Sequence, residues 1–151
     1  EFERIADALV AALPQSGPVF VYNATLEAGV IRRLAARLPT QRPALNAILE
    51  RLFDLLPLTQ QSYYHPAMRG SWSIKKVLPT IEATLAYENL GEIGAGDAAQ
   101  QAFLEWRDPH TASERRQALA EGLQRYCERD TWAMVVLRRF LSGEGVQPEA
   151  G

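Results

Sequence analysis

Two places in this sequence put carboxylates where they could do chemistry. Toward the C-terminus, positions 119, 123, 126, 130, 133, 137 and 140 advance in steps of four and three, which keeps them on one face of a helix. Those residues are Leu119, Leu123, Tyr126, Asp130, Ala133, Leu137 and Phe140. A single carboxylate therefore interrupts an apolar stripe, one turn after a tyrosine on the same side. Burying an unpaired carboxylate costs on the order of several kcal/mol. Asp130 thus needs a partner: a basic side chain, helix N-terminal amides or a cation. A position at the edge of the stripe, hydrogen-bonded to a neighbour, meets the same need without any function.

The second place is the junction Tyr22-Asn23-Ala24-Thr25-Leu26-Glu27. In open α/β sheets, ligands gather beyond the carboxyl ends of the strands. Asn23 stands at such an end, and Glu27 lies about one turn into the helix that follows, able to face the same crevice. Read structurally, Asn23 is a turn residue and Glu27 a favourable charge near a helix N-terminus. A third, weaker feature is Tyr63-Tyr64-His65-Pro66 with Arg69, Trp72, Lys75 and Lys76. It interleaves aromatics with cations, as a single-strand stacking groove does; a loop pinned to the core by its aromatics reads the same way. His65 and His110 lack a metal-ligating neighbour at useful spacing. Gly91 to Gly96 lacks the lysine of a phosphate loop. Cys127 has no evident activating base and reads as structural.

These residues need elements to hold them. Phe2, Ile5, Ala6, Leu9 and Leu13 recur at helical spacing, and Pro14 with Gly17 closes that segment. Pro18-Val19-Phe20-Val21-Tyr22 is a short β-branched and aromatic run, the best candidate for a buried strand of a parallel sheet. Thr25 can cap a second helix carrying Leu26, Val30, Ile31, Leu34 and Leu38, ended by Pro39. A third helix from Pro43 leads to Phe53-Asp54-Leu55-Leu56, read as a second short strand. Residues 57–72 are turn-rich, and Ser73 to Leu78 reads as a short helix stopped by Pro79. A further helix passes through Ala98, Ala102, Phe103 and Trp106. The last runs from near Ser113, with a loose Ser113/Gln117 capping pattern, to Gly143. The expected architecture is a helix-dominated α/β fold, a single domain over 1–143 with a disordered tail over 144–151.

Composition sets outer bounds. The chain has 151 residues and a net charge of −2, from 16 Lys+Arg against 18 Asp+Glu. Near-neutral charge argues against a strongly basic nucleic-acid clamp while leaving room for a local basic patch. With one cysteine, Cys127, no intrachain disulfide forms, and a reducing, cytoplasmic compartment is the expectation. No apolar run approaches the roughly 20 residues that span a bilayer, so no membrane partner is expected. The chain opens inside an amphipathic pattern without an initiator Met, which reads as a piece of something longer.

Val21-Tyr22-Asn23-Ala24-Thr25-Leu26-Glu27 resembles the second motif of the ribonuclease-H-like, DnaQ-type (DEDD) 3′–5′ exonucleases. Tyr126-Cys127-Glu128-Arg129-Asp130 resembles their third motif in its tyrosine form. Across Ile5 to Leu141 the chain is also similar to an uncharacterised bacterial domain-of-unknown-function family. That resemblance is carried by Tyr22-Asn23-Ala24, Asp54-Leu55-Leu56, Tyr64-His65-Pro66-Ala67-Met68, Gly70-Ser71-Trp72-Ser73-Ile74-Lys75, Val77-Leu78-Pro79, Tyr87-Glu88-Asn89-Leu90, Tyr126-Cys127 and Asp130-Thr131-Trp132-Ala133-Met134. It implies the C-terminal part of a ribonuclease-H-like fold with a reduced sheet, in a metal-dependent 3′–5′ exonuclease-like domain acting on single-stranded nucleic acid. In that picture Glu27 and Asp130 hold Mg²⁺ or Mn²⁺ and Tyr126 orients the attacking water. Asn23, Tyr64, His65, Trp72 and Lys75 would contact nucleic acid. Upstream polypeptide, including a RecB-type nuclease region in some members, would be the partner, and an exposed sheet edge would offer a route to oligomers.

The chain departs from the pattern in two ways. Glu27 stands where the exonucleases usually carry Asp, and the first motif, Asp-x-Glu on a strand, has no match. Two of four metal ligands are present, so this stretch alone is expected to be inactive. The alternative reading is a catalytically inactive ribonuclease-H-like module that binds nucleic acid or protein.

Overall fold

In the computed structural model the amphipathic opening segment is helix α1, Phe2–Ala12, ending just before Pro14. Residues 1–86, 93–94 and 96–144 are described. They divide into two compact units, Glu1–Tyr63 and Tyr64–Gly151, each considered by itself. The Tyr87 to Leu90 motif falls outside the described residues, as does most of the glycine loop at 91–96. The expected tail does too, apart from Glu144, whose carboxylate meets Arg138 at 2.6 Å.

The first unit follows the predicted punctuation closely. After α1, strand β1 is Val19–Val21, helix α2 is Thr25–Arg37, helix α3 is Arg42–Glu50 and strand β2 is Leu52–Asp54. The strands pair in parallel, with Val19 opposite Leu52, Phe20 opposite Phe53 and Val21 opposite Asp54. Because side chains alternate across a strand, Leu52 falls on the face that packs against the helices. There it joins Ala6, Ile31, Leu34, Ala35, Leu38, Leu45 and Ile48, the buried cluster of this unit. Phe20 and Phe53 occupy the opposite face, edge to face at 5.6 Å, and Phe53 keeps 46% of its surface exposed. The described chain is thus α/β and dominated by helix, with a sheet of two three-residue strands.

Three local expectations are corrected here. Helix α4, Leu55–Ser62, occupies much of the stretch read as turns. Pro57 sits at its third position, where a helix leaves the amide unbonded in any case, so the ring costs little. Thr25 does not cap α2: the N-cap is Ala24 and no side chain of that segment bonds the helix start. A true N-cap contributes about 0.5–2 kcal/mol. Thr25→Ala should therefore leave the unfolding free energy within about 0.5 kcal/mol of the parent in urea titration. The third correction is in the second unit, where helix α5, Ile74–Ile81, runs through Pro79 instead of stopping at it. Burial of Val77 and Leu78, both fully removed from solvent, holds that helix together.

The second unit is built around one long helix. It opens with a 3₁₀ turn, Pro66–Met68, and α5 is followed by a second 3₁₀ turn, Ala83–Leu85. Helix α6 is Gly96–Arg107 and helix α7 is Ser113–Leu141. The N-cap of α7 is Ala112, without a side-chain bond, so the Ser113/Gln117 pattern caps nothing. The N-terminal half of α7 packs Leu119 and Leu123 against Ala99 and Ala102 of α6 and against Ile93. Its C-terminal half packs Ala133 and Val136 against Leu78 and Leu85. Tyr126 touches both clusters, at the point where the stripe meets Asp130.

Candidate functional site

The carboxyl end of β1 is held by a residue from the other strand. The Asp54 carboxylate accepts the amides of Asn23 and Leu56 on Oδ1 and the amide of Ala24 on Oδ2, each at 2.9 Å. One side chain therefore caps α4 and ties the start of α2 to the end of β2, across 31 residues of sequence. The left-handed conformation of Asn23, φ 63°, delivers both amides to that carboxylate; asparagine tolerates this region better than most residues. Tyr22 precedes it, its hydroxyl pushed up to about 12 by burial and then by the Asp54 charge. Asn23 is thus the turn residue its structural reading described, bonded through its backbone.

Glu27 lies in the first turn of α2, half-buried. Its Oε2 is screened from solvent and has no hydrogen-bond partner among the described residues. Buried polar atoms are satisfied in the great majority of cases, so an unsatisfied one asks for an explanation.

In the second unit Asp130 finds its partner on its own helix. The Tyr126 hydroxyl, one turn earlier, is hydrogen-bonded to the Asp130 side chain, and the Lys75 ammonium lies 5.1 Å from the centre of the Tyr126 ring. Burial first, then the charge and hydrogen bond of Asp130, push the phenol up to about 12. Near neutral pH Tyr126 is therefore a hydroxyl donor and not a base. Because the folded value lies above the ordinary 10, the associated stability is fully present below pH 10 and is lost as pH rises through about 12. Spectrophotometric titration should show Tyr22 and Tyr126 ionising above the ordinary phenol value of 10, and Asp130→Asn should lower the Tyr126 midpoint while leaving that of Tyr22. The exposed Cys127 thiol is raised by partial burial and by the Asp130 and Glu128 carboxylates, the opposite of activation.

The aromatic and cationic residues of the second unit make two ring contacts. Tyr64, 61% exposed, stands 6.3 Å from the Trp72 ring in a tilted pair. Lys75 and Tyr126 make the cation–π contact already described. His65 is the N-cap of the first 3₁₀ turn, its Nδ1 accepting the Ala67 amide. The predicted site residues are accordingly distributed: Asn23 and Glu27 in the first unit, Tyr64, His65, Trp72, Lys75, Tyr126 and Asp130 in the second. Among the described residues no group of three or more His, Cys, Asp or Glu side chains is placed to hold a metal ion. Glu1, Glu3 and Asp7 are at the start of or within α1, so none provides the missing strand-borne motif. No described helix is long and apolar enough to cross a membrane.

The residue that the sequence reading missed as part of a site is Asp54. Its signal was present in Asp54-Leu55-Leu56-Pro57, an N-cap residue with proline in the first helical turn. Its second role, on α2, has no local signal at all.

Comparisons with known proteins name no activity. No solved structure matches the chain significantly. An uncharacterised protein of Mycoplasma pneumoniae is 31% identical over 155 residues, covering 93% of this chain and 23% of that protein. An uncharacterised protein of Mycoplasma genitalium is 27% identical over 154 residues, with the same coverage of 93% and 23%. The chain therefore spans about a quarter of the length of these curated relatives. Residues 2–73, which include the Asn23–Asp54–Glu27 junction, match the family described as a domain of unknown function (DUF2779).

Proposed function

We propose that this chain carries the second and third acidic motifs of a ribonuclease-H-like, DnaQ-type domain, a metal-dependent 3′–5′ exonuclease-like phosphodiesterase acting on nucleic acid. The observation that carries the proposal is Glu27 Oε2, buried and without a donor among the described residues, in the first turn of the helix that follows β1. A carboxylate oxygen in that state suits a hard divalent cation such as Mg²⁺ or Mn²⁺. Asp130, in the second unit, is proposed as a cation ligand in its own right. A cation held by either of these carboxylates would supply an activated water and charge stabilisation at the leaving oxygen of a phosphodiester. Tyr126, protonated near neutral pH and bonded to Asp130, would orient that water through its hydroxyl. Asn23, whose backbone amide is held by Asp54, is proposed to contact the nucleic acid.

Neither carboxylate by itself completes a two-ion site, so turnover would require further ligands, with the rest of the polypeptide, a RecB-type region included, among the proposed partners, in a cytoplasmic setting. The experiment is Mn²⁺-dependent degradation of 3′-labelled single-stranded DNA and RNA by the full-length protein. Asp130→Ala should abolish shortening from the labelled end; undiminished degradation removes Asp130 from catalysis.

A second reading, an inactive nucleic-acid-binding module, is favoured by the exposed Tyr64 paired with Trp72 and by the separate Lys75–Tyr126 contact in the same unit. Base–aromatic stacking contributes about 1–3 kcal/mol per base. Trp72→Ala should therefore weaken binding of a fluorescent single-stranded oligonucleotide by roughly 5- to 150-fold in anisotropy titrations. Unchanged affinity assigns the aromatics to packing.

A further inference from the structure

Glutamate at the third position of a helix has a preferred local partner: it reaches back to the amide of the N-cap residue and satisfies it. In α2 the N-cap is Ala24, and Glu27 is that third residue. The slot is already filled. The Ala24 amide donates to Asp54 Oδ2 at 2.9 Å, and the preceding Asn23 amide donates to Asp54 Oδ1 at the same distance. With both donors engaged by a carboxylate from β2, Glu27 is left with a buried Oε2 that has no hydrogen-bond partner among the described residues.

We infer that Asp54 is a positioning residue which, by occupying the Ala24 amide, keeps the Glu27 carboxylate out of the helix cap and available to an external cation. The inference rests on the reading of Glu27 as a cation ligand, and it adds the device that maintains Glu27 in that state. The same carboxylate fixes the left-handed turn at Asn23 and so sets where α2 begins. Asp54 acts on Glu27 both by competition for a donor and by the direction of the helix. Removing only its Oδ2 acceptor, in Asp54→Asn, keeps an oxygen for the Asn23 and Leu56 amides and returns the Ala24 amide to Glu27.

Backbone amide chemical shifts of the full chain, followed through the carboxylate pH range, test this directly. In the parent, the Ala24 amide should follow a carboxyl titration that Glu27→Gln leaves unchanged; loss of that titration in Glu27→Gln overturns the inference without requiring any Asp54 variant to fold. In Asp54→Asn, the Ala24 amide should acquire a titration that disappears on adding Glu27→Gln; no such acquisition also overturns it. Mn²⁺ alone, read by paramagnetic broadening of residues 24–28, should bind Asp54→Asn roughly 10- to 100-fold more weakly than the parent, the usual effect of losing a residue that orients a ligand. Equal Mn²⁺ affinity in the two overturns the positioning role. Absence of broadening in the parent sinks instead the cation reading of Glu27, an outcome told apart from failure of the positioning role by the two amide experiments.

Discussion

Replacing Asp54 with alanine lowers the stability of the first unit by about 2–4 kcal/mol, the largest effect expected of any single polar substitution here. Hydrogen bonds to a charged acceptor contribute about 1.5–3 kcal/mol each, and a lost N-cap costs about 0.5–2 kcal/mol. Asp54 accepts three amides, but one carboxylate serves all three and the losses do not add. The Asn23 amide lies at the surface, where water replaces the lost acceptor. The Ala24 and Leu56 amides are partly buried and account for most of the cost. Hydrogen exchange of residues 19–62 reads this unit selectively: protection should fall across β1, α2, β2 and α4 together. Asp54→Asn should lose less than half as much. Equal stability of Asp54→Ala and the parent would mean the three contacts are formed equally well by solvent.

The second prediction separates function from folding at Glu27. Glu27→Gln should change stability by no more than about 1 kcal/mol, because two terms oppose each other. A negative charge at a helix start is favourable by about 0.3–1 kcal/mol; a buried oxygen that no donor reaches is unfavourable. Mn²⁺-dependent shortening of 3′-labelled single strands by the full-length protein should nevertheless fall at least about 100-fold. That exceeds the roughly 10- to 100-fold loss typical of residues that only support a ligand. Glu27→Asp, the residue usual in the exonucleases that this junction resembles, should retain activity with a shorter reach. A Glu27→Gln protein that unfolds, or one that cleaves as fast as the parent, contradicts the assignment in distinguishable ways.

Most of the helices were legible because their apolar residues recur with the helical period and because Pro14, Gly17, Pro39 and Gly143 punctuate them. Strand β1 was legible from the run Val19-Phe20-Val21 between turn residues. The errors share a cause. Pro57 and Pro79 are breakers in a reading of local propensity, yet one sits in a first turn and the other in a helix held by the buried pair Val77 and Leu78. Thr25 has the chemistry of a cap, but the acceptor that holds the start of α2 comes from Asp54, about 30 residues away. Local spacing cannot carry that information.

The candidate site divides the same way. Asp130 was recognisable as a carboxylate in need of a partner, and Tyr126 on the same face supplies it. Glu27 was recognisable as a residue near a strand end. That its natural capping partner is taken, and that it is thereby left unsatisfied, follows only once β2 is placed beside β1.

The central claim is that the buried Glu27 oxygen is a cation ligand. Isothermal titration of Mn²⁺ into the parent protein and into Glu27→Gln tests it most directly. A saturable heat in the parent that is lost in the variant is the predicted result; binding that is identical in the two proteins would contradict the claim.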